Sequence, residues 1–101
     1  MIVAANLEID LLIPSHKLAI EVDGITHYYP VYGQERLEMQ QNADRRKDGL
    51  LMQAGISVLR LKCLYRKVSP SRKEKALNHV LDVLEQFERG ERFEYSEIEI
   101  T

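Results

Sequence analysis

Thiol and imidazole side chains are scarce in this chain of 101 residues, which has one cysteine and three histidines. Cys63 has no partner for an internal disulfide, so the chain is not a disulfide-stapled scaffold, and a lone thiol is typical of a reducing compartment. A zinc site needs several Cys and His ligands at short spacing, whereas His16, His27 and His79 are scattered. A metal site in this chain must therefore be built from carboxylates.

Long apolar runs and targeting signals are also lacking. No stretch approaches the roughly 20 apolar residues of a membrane helix, and no basic segment precedes an apolar one at the N-terminus. Hydrophobic residues make up 45% of the chain and charged residues 30%, which excludes a disordered composition. We therefore expect one globular domain, located in the cytoplasm and without a membrane segment.

The net charge of −2 argues against a simple cationic nucleic-acid binder, but the charges are unevenly distributed. Seven acids lie between residues 82 and 101, against Arg89 and Arg92. Ten basic residues lie between 45 and 75: Arg45, Arg46, Lys47, Arg60, Lys62, Arg66, Lys67, Arg72, Lys73 and Lys75. Such a segment is typical either of a surface that follows a phosphate backbone or of a solvated charged face.

Hydropathy patterns predict a mixed sheet with helices packed on it. Strands are predicted at Leu7–Ile13, Leu18–Asp23 and Ile56–Lys62, with a turn at Pro14–Lys17 between the first two. Helices are predicted at Gln34–Ala54 and from Ser69 or Ser71 to Gly90, where Ser71 and Glu74 have capping-box spacing. Residues 93–100 alternate loosely, as an edge strand or a strand that pairs with another chain does. This order predicts an α/β domain with a mixed central β-sheet flanked by helices.

Acidic residues share the polar face of the first two predicted strands. Asp10, with Glu8, lies on one strand, and Glu21 and Asp23 lie on the next, while the other faces are aliphatic. Neighbouring like charges on paired strands repel by roughly 0.2 to 1 kcal/mol. A divalent cation with oxygen ligands, such as Mg²⁺, would compensate this repulsion. The alternative is a solvated face whose acids pair with basic residues of the first helix.

The first predicted helix carries polar residues on its core-facing stripe. That stripe contains Leu37, Gln40, Asp44, Lys47, Leu51 and Ala54. Polar groups on an inward stripe indicate that the helix covers something other than plain core. Asp44 and Lys47 are therefore predicted to face the acidic strand surface, unless the first half of the helix projects beyond the sheet.

The segment after the second strand adds a histidine and several tyrosines. His27 follows Asp23 by four residues, and a histidine near carboxylates can act as a general acid or base, although a loop histidine is more often a surface residue. Tyr28, Tyr29 and Tyr32 come next. Such a loop either stacks against bases or packs on its own domain.

Three segments of the chain together resemble a known nuclease group. They read E-I-D-L-L-I-P at 8–14, K-L-A-I-E-V-D-G-I-T-H at 17–27 and D-R-R-K-D-G-L-L-M-Q-A-G-I-S-V-L-R at 44–60. This combination is similar to the Vsr-like branch of the PD-(D/E)XK nuclease superfamily, which includes very short patch repair endonucleases and EDxHD homing endonucleases. The likeness covers roughly residues 7 to 65. It implies a restriction-endonuclease-like core and a Mg²⁺-dependent DNA endonuclease, in which Mn²⁺ substitutes for Mg²⁺.

The resemblance also implies roles for individual residues. Asp10 matches the metal-binding aspartate, Glu21 the acid of the second motif, His27 the histidine that follows the second strand, and Asp44 the acid of the next helix. Many superfamily members place lysine two residues after the glutamate, where this chain has Asp23. Asp23 then adds charge to the metal site, and the role of the lysine falls to Lys47 or His27. The predicted catalytic set is Asp10, Glu21, Asp23, His27, Asp44 and Lys47, with Asp10, Glu21 and Asp23 as metal ligands.

The same resemblance predicts partners and domain organisation. Residues 1–90 would form the catalytic domain and 91–101 an acidic tail or edge strand, and the early first strand is compatible with a chain shortened at its N-terminus. The low isoelectric point, about 5.9, predicts a fused or separate DNA-recognition module or a homodimer. The predicted DNA contacts are Arg45, Arg46, Arg60, Lys62, Arg66 and Lys67. The alternatives are a non-catalytic nucleic-acid-binding module, similar to the RNA-associated RAP domains, and a structural interaction domain.

Overall fold

A computed structural model describes residues 9–64 and 69–101, which form two long helices and a four-stranded sheet. β1 (Leu11–Ile13) runs antiparallel to β2, whereas β2 (Leu18–Asp23), β3 (Ser57–Lys62) and β4 (Tyr95–Glu99) are parallel, in the order β1-β2-β3-β4. α1 (Gln34–Gln53) connects β2 to β3, and α2 (Pro70–Glu88) connects β3 to β4. The predicted α/β class, with a mixed sheet and flanking helices, is confirmed.

The two helices cover opposite faces of the sheet. Leu18 and Ile20 of β2 belong to the same buried cluster as Phe87 of α2, whereas Ala19, between them, belongs to a second cluster with Leu51 of α1. Successive side chains of a strand point to opposite faces. The alternation read from the sequence therefore decides which helix each residue of β2 contacts.

The apolar core on the α1 face is small, and buried charged residues lie next to it. Its buried members are Ile9, Ala19, Leu51 and Val58. Further along β2 and β3 the same face carries Glu21, Asp23 and Arg60, all of which are buried. The two parallel strands therefore end, at their carboxyl edge, in a buried charged region under α1.

The ends of the long helices follow sequence signals. At the end of α1, Ile56 N–H donates to the carbonyl of Leu51 and Gly55 N–H to that of Met52, which is a Schellman motif. Gly55 has φ +79°, a left-handed conformation that side chains with a Cβ rarely adopt. α2 begins at Pro70, with Ser69 accepting a hydrogen bond from Arg72 N–H. Of the two starts that the sequence left open, Ser69 is therefore the N-cap, and Ser71 does not form a capping box with Glu74.

Several other predictions need adjustment. β1 begins at Leu11 among the described residues, while the predicted start at Leu7 lies outside them, and Pro14–His16 forms a short 3-10 helix rather than a simple turn. Leu37 and Leu51 of α1 are buried as predicted, but Ala54 is exposed because it lies beyond the last helical turn. The C-terminal segment pairs with β3 as an edge strand. No helix among the described residues is long and apolar enough to cross a membrane.

Candidate functional site

The candidate site lies where β2 and β3 end beneath α1. In the parallel pair, Glu21 is opposite Arg60 and Asp23 is opposite Lys62, so these four side chains project from the same face. In open sheets of parallel strands, ligands bind at the carboxyl ends of the strands. A cleft of about 230 Å³ opens at this edge, and its lining includes Asp23, His27, Asp44 and Arg60.

Arg60 lies at the centre of a buried ion network. Its Nη1 donates to both oxygens of Asp23 at 2.9 and 2.8 Å. Its Nε and Nη2 donate to the two oxygens of Asp48, at 2.9 and 2.6 Å. Burial alone would lower the pKa of Arg60, but the hydrogen bonds and charges of Asp48 and Asp23 outweigh it and raise that pKa. The guanidinium is therefore a permanent cation inside the fold.

Arg60 was predicted to contact DNA, and its position does not fit that role. The residue is only 3% exposed, and its donors are occupied by Asp23 and Asp48. Asp48 was not predicted as part of the site. The sequence did indicate that Asp48 lies on the inward side of α1, because it stands one helical turn after Asp44 and three residues before Leu51. The position of Arg60 between Leu59 and Leu61, in a strand of mostly aliphatic residues, likewise indicated that this arginine is buried.

His27 is held between two carboxylates at the mouth of the cleft. Its Nδ1 lies 2.9 Å from Asp44 Oδ2 and 3.7 Å from Asp23 Oδ1. A carboxylate only accepts, so Nδ1–H donates to Asp44 in this arrangement, and in the neutral imidazole Nε2 then carries the lone pair. Gln41 donates to the backbone carbonyl of His27, and Gln40 donates to Asp44 Oδ1. Asp44 therefore holds the imidazole as predicted, whereas the proton transfer expected of His27 stays a prediction.

Asp23, His27 and Asp44 also form the one group among the described residues with the spacing of a metal site. One potential ligand atom from each lies within 4.8 Å of the others. Asp23, however, already accepts from Arg60 and, at 3.0 Å, from the hydroxyl of Tyr28. Burial and the charge of Asp23 raise the pKa of Tyr28, so its hydroxyl stays protonated and keeps donating. A cation bound here would compete with a buried guanidinium.

Glu21 and Asp10 form a second acidic site a short distance along the sheet. Glu21 is 3% exposed, and its Oε1 lies 3.1 Å from Nζ of Lys47. Asp10 is exposed, and its Oδ2 accepts from the backbone N–H of Val22 at 2.8 Å. Burial raises the pKa of Glu21, the charge of Lys47 opposes that shift, and the charge of Asp10 adds to it. The prediction that Lys47 faces the acidic strands is confirmed.

The structure thus divides the predicted acids into two sites. Glu21 lies with Lys47 and within electrostatic reach of Asp10, whereas Asp23 lies with Arg60, His27 and Asp44. The three expected metal ligands are therefore not one cluster, and the group with metal-site spacing contains only Asp23 of them. The sequence could not separate the two sites, because the separation depends on Arg60 reaching across from β3.

The predicted DNA-contacting residues occupy different environments. Arg45 and Arg46 are exposed on α1, the helix that covers the site. Lys62 is half-buried, with its Nζ 4.3 Å from the centre of the Tyr28 ring and 3.8 Å from Glu97. Arg66 and Lys67 lie outside the described residues. Of these basic residues in the part of the chain that the structure describes, the exposed ones are the two on α1, and Arg45 lines the cleft.

Comparisons of this chain with models of protein families, with curated proteins and with solved structures find no match.

Proposed function

We propose that this protein is a metal-dependent endonuclease that hydrolyses DNA phosphodiester bonds, with a restriction-endonuclease-like core of the Vsr-like type. The observation that carries the proposal is the pair formed by His27 and Asp44, with Nδ1 and Oδ2 2.9 Å apart beside an open cleft. A carboxylate that fixes one imidazole nitrogen leaves the other to move a proton near neutral pH. Glu21 and Asp10, the acids of the second site, supply the rest of the chemistry.

The donor set of the second site fits a hard cation such as Mg²⁺ or Mn²⁺. Glu21 and Asp10 offer carboxylate oxygens, which are the ligands that Mg²⁺ prefers. The raised pKa of the buried Glu21 reflects burial and the neighbouring acid, and both effects would be relieved by a divalent charge. A bound Mg²⁺ would lower the pKa of water and polarise the scissile phosphate. We leave Asp23 out of the ligand set because both of its oxygens accept from Arg60.

The residues around the ligands have separate tasks. His27, held by Asp44, takes the proton from the attacking water through Nε2. Lys47, now beside Glu21, offsets the charge that develops on the phosphate oxygens. Arg60 holds Asp23 in place and so fixes the second carboxylate near the imidazole. Arg45 and Arg46, exposed on α1, contact the phosphate backbone.

A nicking assay on supercoiled plasmid, with Mg²⁺ or Mn²⁺, tests the proposal. We expect the intact chain to relax the plasmid only with the divalent ion, and Asp10→Asn to abolish this activity. Asp10 is exposed, so the substitution should not unfold the chain. The matched control is Asp82→Asn, an exposed acid on α2 that should keep full activity. Cleavage that survives in Asp10→Asn would refute the assigned site.

A second candidate function is nucleic-acid binding without catalysis, as in an RNA-associated module of the same fold. The observation that favours it is that two internal cations offset most of the charge of the three buried acids, since Arg60 pairs with Asp23 and Asp48, and Lys47 pairs with Glu21. These ion pairs offset most of the buried negative charge without a metal ion. Calorimetry with Mn²⁺ separates the two functions, because heat of binding that Asp10→Asn removes supports the nuclease. Nucleic-acid binding with no ion binding supports the module.

A further inference from the structure

A second cavity lies beside the candidate site and has no part in the chemistry above. Its volume is about 280 Å³, and it opens between the segment that follows β2 and the start of α1. The lining includes Thr26, Tyr29, Tyr32, Arg36 and Gln40. Pockets for drug-sized ligands start at about 300 Å³, so this cavity suits a smaller planar group.

The tyrosines of this segment are used in two different ways. Tyr28 turns inward, where its hydroxyl donates to Asp23. Tyr29 and Tyr32 line the cavity and remain 51% and 72% exposed, and Val31 between them is 53% exposed. Large apolar side chains grouped on a surface mark an interaction site more often than a random surface does. The exposed rings are thus left for an external partner.

The chemistry of the cavity matches an unpaired nucleobase. Every base has a face that stacks on an aromatic ring, and its edge bonds to amide and hydroxyl groups. Tyr29 and Tyr32 supply rings, Gln40 an amide and Thr26 a hydroxyl. Arg36 brings a guanidinium to the same cavity, which suits the phosphate attached to the base. A purely apolar ligand would not use this combination.

The cavity is joined to the candidate site through shared residues. Gln40 lines the cavity and donates to Asp44 at 3.2 Å, and Asp44 accepts from His27. Thr26, also in the lining, directly precedes His27 in the chain. Four residues of helix separate Gln40 from Asp44, about 6 Å along the axis. A base held in the cavity would therefore lie next to the pair formed by His27 and Asp44.

We propose that this cavity binds an unpaired base of single-stranded DNA, flanking the bond that the neighbouring site cleaves. The claim that the bound DNA strand is the substrate rests on the proposed function, whereas the claim that a base stacks in the cavity does not. Consequently, the protein should prefer DNA that carries an unpaired segment over a fully paired duplex.

The test measures the binding of a single-stranded DNA oligonucleotide containing 2-aminopurine to the full chain, with EDTA present to prevent cleavage. We expect quenching of the 2-aminopurine fluorescence, which reports stacking. Tyr32→Ala should weaken the affinity between about 5- and 150-fold, the range for loss of one stacked base. Tyr32→Phe keeps the ring and should bind as the wild type does. Leu81→Ala, an exposed apolar residue on α2, is the remote control and should also bind unchanged.

Each other result overturns part of the proposal. Equal affinity of Tyr32→Ala, or equal competition by a fully paired duplex, would reject the base pocket. An RNA oligonucleotide of the same sequence that binds more tightly would reject the assignment to DNA. Because the binding assay contains no metal ion, quenching without plasmid cleavage would refute the nuclease but retain the pocket. Plasmid cleavage without quenching would refute the pocket but retain the nuclease.

Discussion

Arg60 and Asp23 form a buried ion pair across the parallel strands β3 and β2, with one guanidinium nitrogen 2.9 and 2.8 Å from the two carboxylate oxygens. Asp48 of α1 completes the network on the other side of the guanidinium. The pair ties both strands to the helix that covers them. It also occupies both oxygens of Asp23, which leaves Glu21 and Asp10 as the acids of the proposed metal site.

Replacement of Arg60 should be strongly destabilising. Arg60→Met leaves Asp23 and Asp48 buried without their cation, and breaking a buried pair in this way costs about 3–5 kcal/mol. Urea unfolding at neutral pH measures the loss. The control is Arg45→Met on the exposed surface of α1, which should change the free energy of unfolding by less than about 0.5 kcal/mol. A loss below about 1 kcal/mol for Arg60→Met would show that the network contributes little.

The stability of the chain should depend on the ionisation of Glu21. Burial raises the pKa of Glu21 above its ordinary value of 4.5, so the folded chain holds this proton more tightly than the unfolded chain does. The favourable contribution is complete below that ordinary value and is lost as the pH rises through the folded pKa. Glu21→Gln cannot ionise, so its free energy of unfolding, relative to the wild type, should increase between about pH 4 and pH 8.

Urea unfolding over that pH range checks the prediction. Glu85→Gln on the exposed side of α2 is the control, and its difference from the wild type should stay nearly constant with pH. A difference between Glu21→Gln and the wild type that falls as the pH rises would mean that Lys47, not burial, controls this carboxyl.

The imidazole of His27 should be essential for cleavage and dispensable for the fold. Proton transfer by a positioned side chain contributes typically about 10² to 10⁴ in rate, so His27→Ala should reduce nicking by that factor. His79→Ala, on α2 and on the opposite face of the sheet from α1, should cleave as the wild type does. Circular dichroism should show both variants folded. An equal loss in both variants would contradict the role of His27.

Replacement by alanine should change the stability of the chain in opposite directions at Gly49, inside α1, and at Gly55, just after the end of α1. Gly49 lies inside the helix, and a Cβ there meets no atom within 4 Å, so Gly49→Ala should stabilise the chain by about 0.5–1 kcal/mol. Gly55 has φ +79°, so Gly55→Ala should destabilise it by about 1 kcal/mol or more. Thermal unfolding of the two variants measures both changes. Shifts of the same sign would show that the left-handed conformation does not govern the end of α1.

Local sequence signals located most of the elements because their causes are local. The alternation from Leu18 to Asp23 reproduces β2, and Gly55 and Gly90 mark where the two long helices stop. The start of α2 was ambiguous, since Ser69 and Ser71 both fit a cap. The hydrogen bond from Arg72 N–H selects Ser69, and Pro70 takes the first helical position, where no N–H is needed.

The sequence predicted only part of the candidate site. The stripe on α1 predicted that Asp44 and Lys47 face the strands, and the ion pair of Lys47 with Glu21 agrees with this. The stripe did not show that Asp48 is buried or that Arg60 points inward between two carboxylates. Arg60 therefore entered the predicted DNA surface with the other basic residues, although its strand is buried on both sides.

The sequence by itself determined the α/β class, the face on which each acid of β2 lies and the position of His27 four residues after Asp23, because period and spacing are properties of one segment. Only the tertiary structure decided which acids keep their charge for a ligand and which are neutralised within the fold. The register of β2 on β3 sets Glu21 opposite Arg60, and the packing of α1 brings Asp48 and Lys47 onto them. Ion pairing between distant segments depends on distances of a few ångströms, which no pattern within one segment specifies.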